Sequence, residues 1–352
     1  MKGFAVIEPG KVGWIEVEKP VAGPLDAVLK PIAIAVCSSD THVSDGGAGP
    51  ITNRVLGHEA VAEVVEVGEL VKNFKPGDRV VVNCVTPDWE SPALQDRDTN
   101  NAHDCGLMAS FKFVLSKDGC WAEFFHVNNA DANLVHLPAD VSIEDALMTT
   151  DMMSTGFYAA EMADIKFGDT VVCYGIGPVG LMAIAGAALR GAGRIIGIGS
   201  RPNLVKLARE FGATDIIDYH DGDVVQQILE KYGQVDKCMI AGGTCAAMTD
   251  ALKMVKPNGV ISNVNFFDAM DSFNVPAPYW GLGMSDVTIR GGMCPGGAKR
   301  IERLLKLIQA DRVHPGKVLN MKFEGFEQLP EAFKVMHEKP RELIKSYVIL
   351  EK

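Results

Sequence analysis

Residues 175–180 read Gly175-Ile176-Gly177-Pro178-Val179-Gly180, directly after the uncharged run Thr170–Tyr174 and at the head of the small-residue stretch Pro178–Leu189. A strand that turns through such glycines into a helix constrains the fold more than any other feature of the chain, because it is the phosphate-binding turn of a doubly wound sheet. The first glycine makes the tight turn, the second lets a pyrophosphate approach the backbone, and the third lets the helix pack on the strand. The helix N-terminus then offers its N–H groups to the anion. A glycine turn with no ligand is the alternative, and what surrounds the turn decides between them.

Strand and helix patterns alternate around it. After the strand 170–174 and the helix 178–189 come a strand at 194–198, a helix at 203–211, a strand at 215–219 and a helix at 224–232. A strand at 235–240, a helix at 245–255 and strands at 259–264 and 287–290 complete the series, and a helix at 299–310 opens the C-terminal part. Such alternation implies right-handed βαβ units and a parallel sheet. The first 150 residues have a different texture. Residues 61–67 (VAEVVEV) alternate as a half-buried strand does, and Lys75-Pro76-Gly77-Asp78 is a turn that restarts a strand at Arg79. Residues 88–104 are polar and loop-like. The chain of 352 residues suits two domains, a β-rich one at 1–150 and 296–352 and a doubly wound one at 151–295.

Composition excludes several classes. The hydrophobic and charged fractions, 47% and 22%, are those of a globular chain. Net charge is −11 and no Lys/Arg-rich run occurs, so a nucleic-acid partner is not expected. Residues 171–189 carry no charge and approach the length of a membrane span, but Gly175, Gly177, Pro178 and Gly180 interrupt them. No membrane partner and no signal peptide are expected, since the start MKGFAVIEPG has too short an apolar stretch. Eight scattered cysteines without a secretory context read as reduced thiols in a cytoplasmic protein, mostly small buried hydrophobes.

The end of the strand 194–198 selects the dinucleotide. A site for NAD usually places a carboxylate there to bind the ribose 2′-OH; here the chain reads Gly199-Ser200-Arg201-Pro202. Nothing in that run repels a 2′-phosphate, Ser200 can donate a hydrogen bond, and Arg201 can pair with the phosphate or stack near the adenine. NADP(H) is therefore the expected cofactor. Tyr219 and Asn265, near the ends of later strands, join Gly175, Ile176, Gly177, Pro178, Val179, Gly180, Gly199, Ser200 and Arg201 as the candidate cofactor site. The plainer reading of Arg201 is a solvated residue at a helix start.

Three further residues form a candidate metal set: Cys37 in Val36-Cys37-Ser38-Ser39-Asp40-Thr41-His42, His58 in Gly57-His58-Glu59, and Asp151 in Thr150-Asp151-Met152. A catalytic zinc takes three protein ligands from nitrogen, sulfur and oxygen donors and keeps one position open. Spacing alone does not decide the matter: taken singly, the three are equally a buried thiol, a core imidazole and a helix cap.

The motifs that carry a resemblance run the length of the chain: MKGFAVIEPGKVGWIE at the start, CSSDTH at 37–42, GHEA at 57–60, FKPGDRVVV at 74–82, DMMSTGF at 151–157, GIGPVGLMAIAGAALRGAGRII at 175–196, GSRP at 199–202 and GGMCPGG at 291–297. In these the chain resembles the zinc-containing medium-chain alcohol dehydrogenases, and within them the NADP-dependent secondary-alcohol (isopropanol) dehydrogenases of bacteria and protozoa. The resemblance implies an α/β protein with a GroES-like β-rich catalytic domain joined to a Rossmann domain, assembled as a homotetramer. It makes Cys37, His58 and Asp151 the ligands of a catalytic zinc and adds Glu59 as a ligand when substrate is absent. Many members hold a second, structural zinc on four closely spaced cysteines; Cys84, Cys105 and Cys120 are widely spread, so one zinc per chain is expected. Ala62 stands where the family usually has glycine, and the match is poor over 106–111.

The expected reaction is reversible hydride transfer between NADP(H) and a small alcohol, ketone or aldehyde. Ser39 is expected to hydrogen-bond the alcohol and His42 to pass its proton outward, a role that suits histidine; a turn-stabilising hydroxyl and a surface histidine are the plainer readings. Val85, Phe111, Phe266, Met293 and Cys294 are placed in the substrate pocket by position, where an apolar lining would favour small uncharged substrates; each is equally ordinary core. Two other functions stay open at this point. A zinc-free quinone reductase would lack the Cys37, His58 and Asp151 set, and a non-catalytic relative would bind NADPH without turnover.

Overall fold

Runs rich in valine and isoleucine become the strands of two large sheets, as β-branched side chains favour. The computed structural model describes residues 1–92, 94, 111–267 and 271–351. The chain divides into two units, Met1–Ser154 with Cys294–Lys352, and Thr155–Met293. Asp151 thus belongs to the same unit as Cys37 and His58, because the division falls after Ser154 and not before Asp151.

In the unit 155–293 six strands lie in the order Asp215–Ile217, Arg194–Ile198, Thr170–Tyr174, Val235–Ile240, Val255–Asn263, Thr288–Gly291. Every pairing is parallel. Thr170–Tyr174 is buried through its middle, as a strand covered on both faces must be. The order is that of the doubly wound dinucleotide-binding fold, whose ligands lie at the carboxyl ends of the strands where the order reverses. That point lies at the carboxyl ends of the paired strands Thr170–Tyr174 and Val235–Ile240. The strand expected at 215–219 stops at Ile217. The Asp218 carboxylate accepts from the backbone N–H of His220 at 2.9 Å, and this turn pulls Asp218 and Tyr219 off the sheet edge.

Among the described residues the other unit carries a seven-stranded sheet and a three-stranded one. Ala27–Ala35 is central to the larger: it pairs antiparallel with Glu59–Val67 on one side and Lys345–Ile349 on the other. The strand read at 61–67 starts earlier, at Glu59, and is buried on both faces through Ala62. Ala62 lies opposite Pro31, next to a shift in register. The core gathers Phe4, Trp121 and Phe333, with ring centroids 5.8–6.1 Å apart. The last pairings place Ala35 across from both Glu59 and Tyr347, so the end of one buried strand delivers Cys37, Glu59 and Lys345 to the same spot. Among the described residues no helix is long and apolar enough to cross a membrane.

Candidate active site

The chain leaves the strand Ala27–Ala35 and enters a short helix, Ser38–Ser44, whose cap is Cys37. The cap is reciprocal: Ser39 N–H points at Cys37 Sγ, 3.4 Å, while the Asp40 carboxylate accepts from Cys37 N–H, 3.0 Å. This fixes the thiol at the mouth of the strand. Gly57, at φ +92°, turns the chain so that His58 and Glu59 enter the adjacent strand. Asp151 sits in the turn before the helix Met152–Met162. The four side chains converge: one donor atom from each of Cys37, His58, Glu59 and Asp151 lies within 4.8 Å of all the others. His58 Nε2 is 3.4 Å from Asp151 Oδ2 and 3.9 Å from Glu59 Oε1, and Cys37 Sγ is 3.9 Å from Asp151 Oδ2.

Two buried residues that sequence reasoning did not single out hold this group. Asp40, 1% exposed, accepts from the N–H groups of Cys37 and Gly57 and lies 3.2 Å from His58 Nδ1. A carboxylate behind an imidazole fixes its tautomer and turns the other nitrogen outward. Lys345, fully buried, donates to Glu59 Oε1 at 2.7 Å and to the Val36 carbonyl at 3.1 Å. The capping acid was visible in CSSDTH, three residues past the thiol; nothing near Glu59 in sequence points to Lys345.

The electrostatics favour a cation. Burial alone would disfavour a charged His58, but the Asp40 and Asp151 carboxylates outweigh it and hold the imidazole well above its usual range. Burial pushes the Glu59 carboxyl up, with the Lys345 ammonium opposing. Lys345 itself stays high because Glu59 overcomes its burial. Three acidic side chains, a thiol and an imidazole thus share a buried space with one lysine, and among the described residues Glu59 Oε2 has no hydrogen-bond partner. Unpartnered buried acceptors are costly. A zinc ion held by sulfur, nitrogen and oxygen donors fits this set in chemistry and charge.

Ser39 Oγ lies 3.4 Å from His58 Nε2, at the edge of the donor group. His42 is exposed on the outer side of the same short helix. The Phe111 ring meets the His58 ring edge-on at 5.1 Å. Val85 and Cys294 are buried, and Cys294 Sγ lies 3.7 Å from Asn83 Oδ1. Phe266 and Met293 belong to the other unit; Phe266 is exposed and Met293 half-buried. Cys105 falls outside the described residues.

In the unit 155–293 the glycine turn is built as its motif requires. Gly175 is at φ +91°, and a Cβ there would come 2.9 Å from Gly242 Cα. A Cβ on Gly180 would collide with the Gly175 carbonyl oxygen, while the space beside Gly177 is open. No side chain caps the helix Pro178–Leu189. The Ile176 side chain is buried and lies where a Cβ on Gly199 would go, so of that residue only the backbone lines the turn. Ser200 and Arg201 are half-buried at the end of the second strand, and Arg201 begins the helix Pro202–Glu210. Tyr219 is exposed and stacks on His220, with centroids 4.3 Å apart. Asn265 Nδ2 donates to the Gly243 carbonyl at 2.9 Å, which ties together two loops at the carboxyl edge. The glycines at 242 and 243, missed in the sequence because no motif marks them, complete that edge. A glycine turn into a helix N-terminus that no described side chain caps fits a dinucleotide pyrophosphate.

Comparison with known proteins agrees with this geometry. Residues 23–139 match the family described as the alcohol dehydrogenase GroES-like domain, and residues 178–310 match the zinc-binding dehydrogenase family. The chain belongs to the zinc-binding alcohol dehydrogenases, as its motifs led us to expect. It is 53% identical to the NADP-dependent isopropanol dehydrogenase of Thermoanaerobacter brockii, covering 99% of this chain and all of that one. It is 50% identical to the enzyme of the same name from Clostridium beijerinckii over the same shares. Among solved structures, a Thermus alcohol dehydrogenase superposes with a TM-score of 0.87 at 27% identity, with both chains covered in full.

Proposed function

We propose that the chain is an NADP(H)-dependent alcohol dehydrogenase that interconverts small secondary alcohols and ketones at a zinc ion held by Cys37, His58 and Asp151, with Glu59 as an alternative ligand. The observation that carries this reading is the convergence of those four donors within 4.8 Å. The names of the relatives support the choice of isopropanol-type substrates and of NADP. The absence of a carboxylate from 199–202 supports NADP independently.

Zinc, when bound, supplies Lewis-acid polarisation of the substrate oxygen, and the nicotinamide supplies or accepts the hydride. The chain's own residues do the rest. Asp40 orients the His58 ring, and Lys345 holds one oxygen of Glu59. The Ser39 hydroxyl accepts the proton that leaves the alcohol as it gives up its own, and His42, exposed on the same helix, takes up the relayed proton and releases it to solvent. Phe111, Val85 and Cys294 give the substrate an apolar or weakly polar boundary. The backbone of 175–180 holds the pyrophosphate, Ser200 and Arg201 take the 2′-phosphate, and Tyr219 and Asn265 border the dinucleotide.

The protein works in the cytoplasm, where its seven described cysteines stay unpaired, and as a homotetramer. Self-association is supported by the exposed Tyr279, Trp280, Leu282 and Met284, in the segment that leads into the edge strand Thr288–Gly291 and is tied to it by Trp280 Nε1 donating to the Val287 carbonyl, because apolar side chains at a sheet edge call for cover. The testing experiment is a panel of alcohols, ketones and quinones assayed with NADP(H) and NAD(H). Propan-2-ol oxidation and acetone reduction linked to NADP(H) are expected. Quinone reduction without alcohol turnover, or dinucleotide binding without any turnover, would refute the proposal.

A further inference from the structure

Asp151 faces a second set of metal-capable donors. Cys84 Sγ, Cys294 Sγ and a carboxylate oxygen of Asp151 all lie within 4.8 Å of one another. The two thiols are 1% and 2% exposed and unpaired. They come from distant parts of the sequence; Cys294 borders the proposed substrate pocket, and Cys84 has no part in the chemistry described above.

Backbone and amide hydrogen bonds build this group, and Cys294 Sγ adds its own contacts to Asn83 Oδ1, 3.7 Å, and the Pro295 carbonyl, 3.6 Å. Cys84 N–H donates to the Thr150 carbonyl at 3.0 Å, which sets Cys84 beside Asp151. The buried Asn83 amide donates to the carbonyls of Pro295, 3.0 Å, and Gly297, 3.3 Å, and its oxygen accepts from Val85 N–H at 2.9 Å. One side chain thereby clamps the segment bearing Cys294 to the segment bearing Cys84. Two sulfurs and a carboxylate are the donor set that thiophilic divalent ions take in preference to hard ones. A tetrahedral ion with metal–sulfur bonds of about 2.3 Å needs the sulfurs about 3.8 Å apart, within reach of the present spacing. The two oxygens of one carboxylate can serve two ions, which in two-metal sites lie about 3.5–4 Å apart.

We infer that Cys84, Cys294 and Asp151 form a second, thiophilic metal site that fills when such an ion is present beyond the one held by Cys37, His58 and Asp151. On binding, two S–H bonds break, two metal–sulfur bonds form, and two protons pass to solvent; no electron is transferred. The second ion shares the Asp151 carboxylate with the first site and so lowers turnover. That consequence rests on the proposed role of Asp151 as a zinc ligand, whereas the binding does not.

The test titrates the zinc-loaded enzyme with Cd2+. Metal content after desalting, the ultraviolet charge-transfer band of thiolate bound to cadmium, and proton release in weak buffer are followed together, after alcohol turnover has been measured separately. A second metal equivalent, the thiolate band and about two protons released per ion are expected, with zinc retained. Cys84→Ala and Cys294→Ala should each abolish the second equivalent and keep the zinc. The two changes lie on different segments, so a variant that fails to fold leaves the other informative. No second equivalent in the unmodified enzyme, a second equivalent retained in both variants, or a band that grows only as zinc is expelled would overturn the inference.

Discussion

Asp40 receives hydrogen bonds from two backbone N–H groups and sits behind His58, so its charge matters as much as its shape. Asp40→Asn keeps the shape and should weaken zinc binding by about 10–100-fold; competition with a chelator measures this, and an unchanged affinity would contradict the role. Lys345→Met leaves Glu59 buried without its cation and should destabilise the fold by about 3–5 kcal/mol in urea unfolding. Adding Glu59→Gln should restore most of that loss; if the double variant is as unstable as the single, the ion pair is not the cause. Ser39→Ala should cut turnover by about 10²–10⁴-fold with zinc content intact, and unchanged turnover would remove Ser39 from the proton path. At this scale the ligands were legible only as four residue types in known motifs, since no spacing rule joins position 37 to 151. Asp40 was legible as a capping acid. Lys345 was not, because its pairing with Glu59 arises from two neighbours of one central strand.

The glycine turn, the strand ends and the short capped helix decide which surfaces meet. Gly180→Ala would drive a methyl group into the Gly175 carbonyl and should cost about 1–3 kcal/mol of stability, with dinucleotide affinity falling as well. Arg201→Ala should raise the Kd for NADP about tenfold or more, the loss of one charged hydrogen bond, and leave NAD binding unchanged; a parallel loss for both would mean that Arg201 does not read the 2′-phosphate. The parallel strands were legible because doubly covered strands are continuous apolar runs. The exceptions have local causes. The third strand of that sheet ends early because Asp218 turns the chain. The strand at Glu59 begins early because a buried lysine allows a carboxylate inside, which no alternation pattern anticipates.

For the whole molecule, pH and assembly offer further tests. Lys117 lies inside the Met1–Ser154 segment, with Nζ 2.9 Å from the His126 carbonyl and over the Phe113 ring. Burial, aided by nearby Lys112 and opposed by Asp26 and Asp88, lowers its ammonium from 10.5 to about 7. A lysine depressed in the folded state binds fewer protons there than in the unfolded chain. Its penalty is therefore full below pH 7 and relieved as pH rises from about 7 toward 10.5. Relative to Lys117→Met, the unmodified protein should gain stability across that window, and parallel unfolding curves would contradict this. The zinc requirement joins the residue, the element and the fold in one quantity. Zinc should be stripped with a chelator and returned in steps while NADP-linked propan-2-ol oxidation is followed. Activity should vanish with the metal and return linearly up to one zinc per chain; activity that survives complete removal would contradict the account.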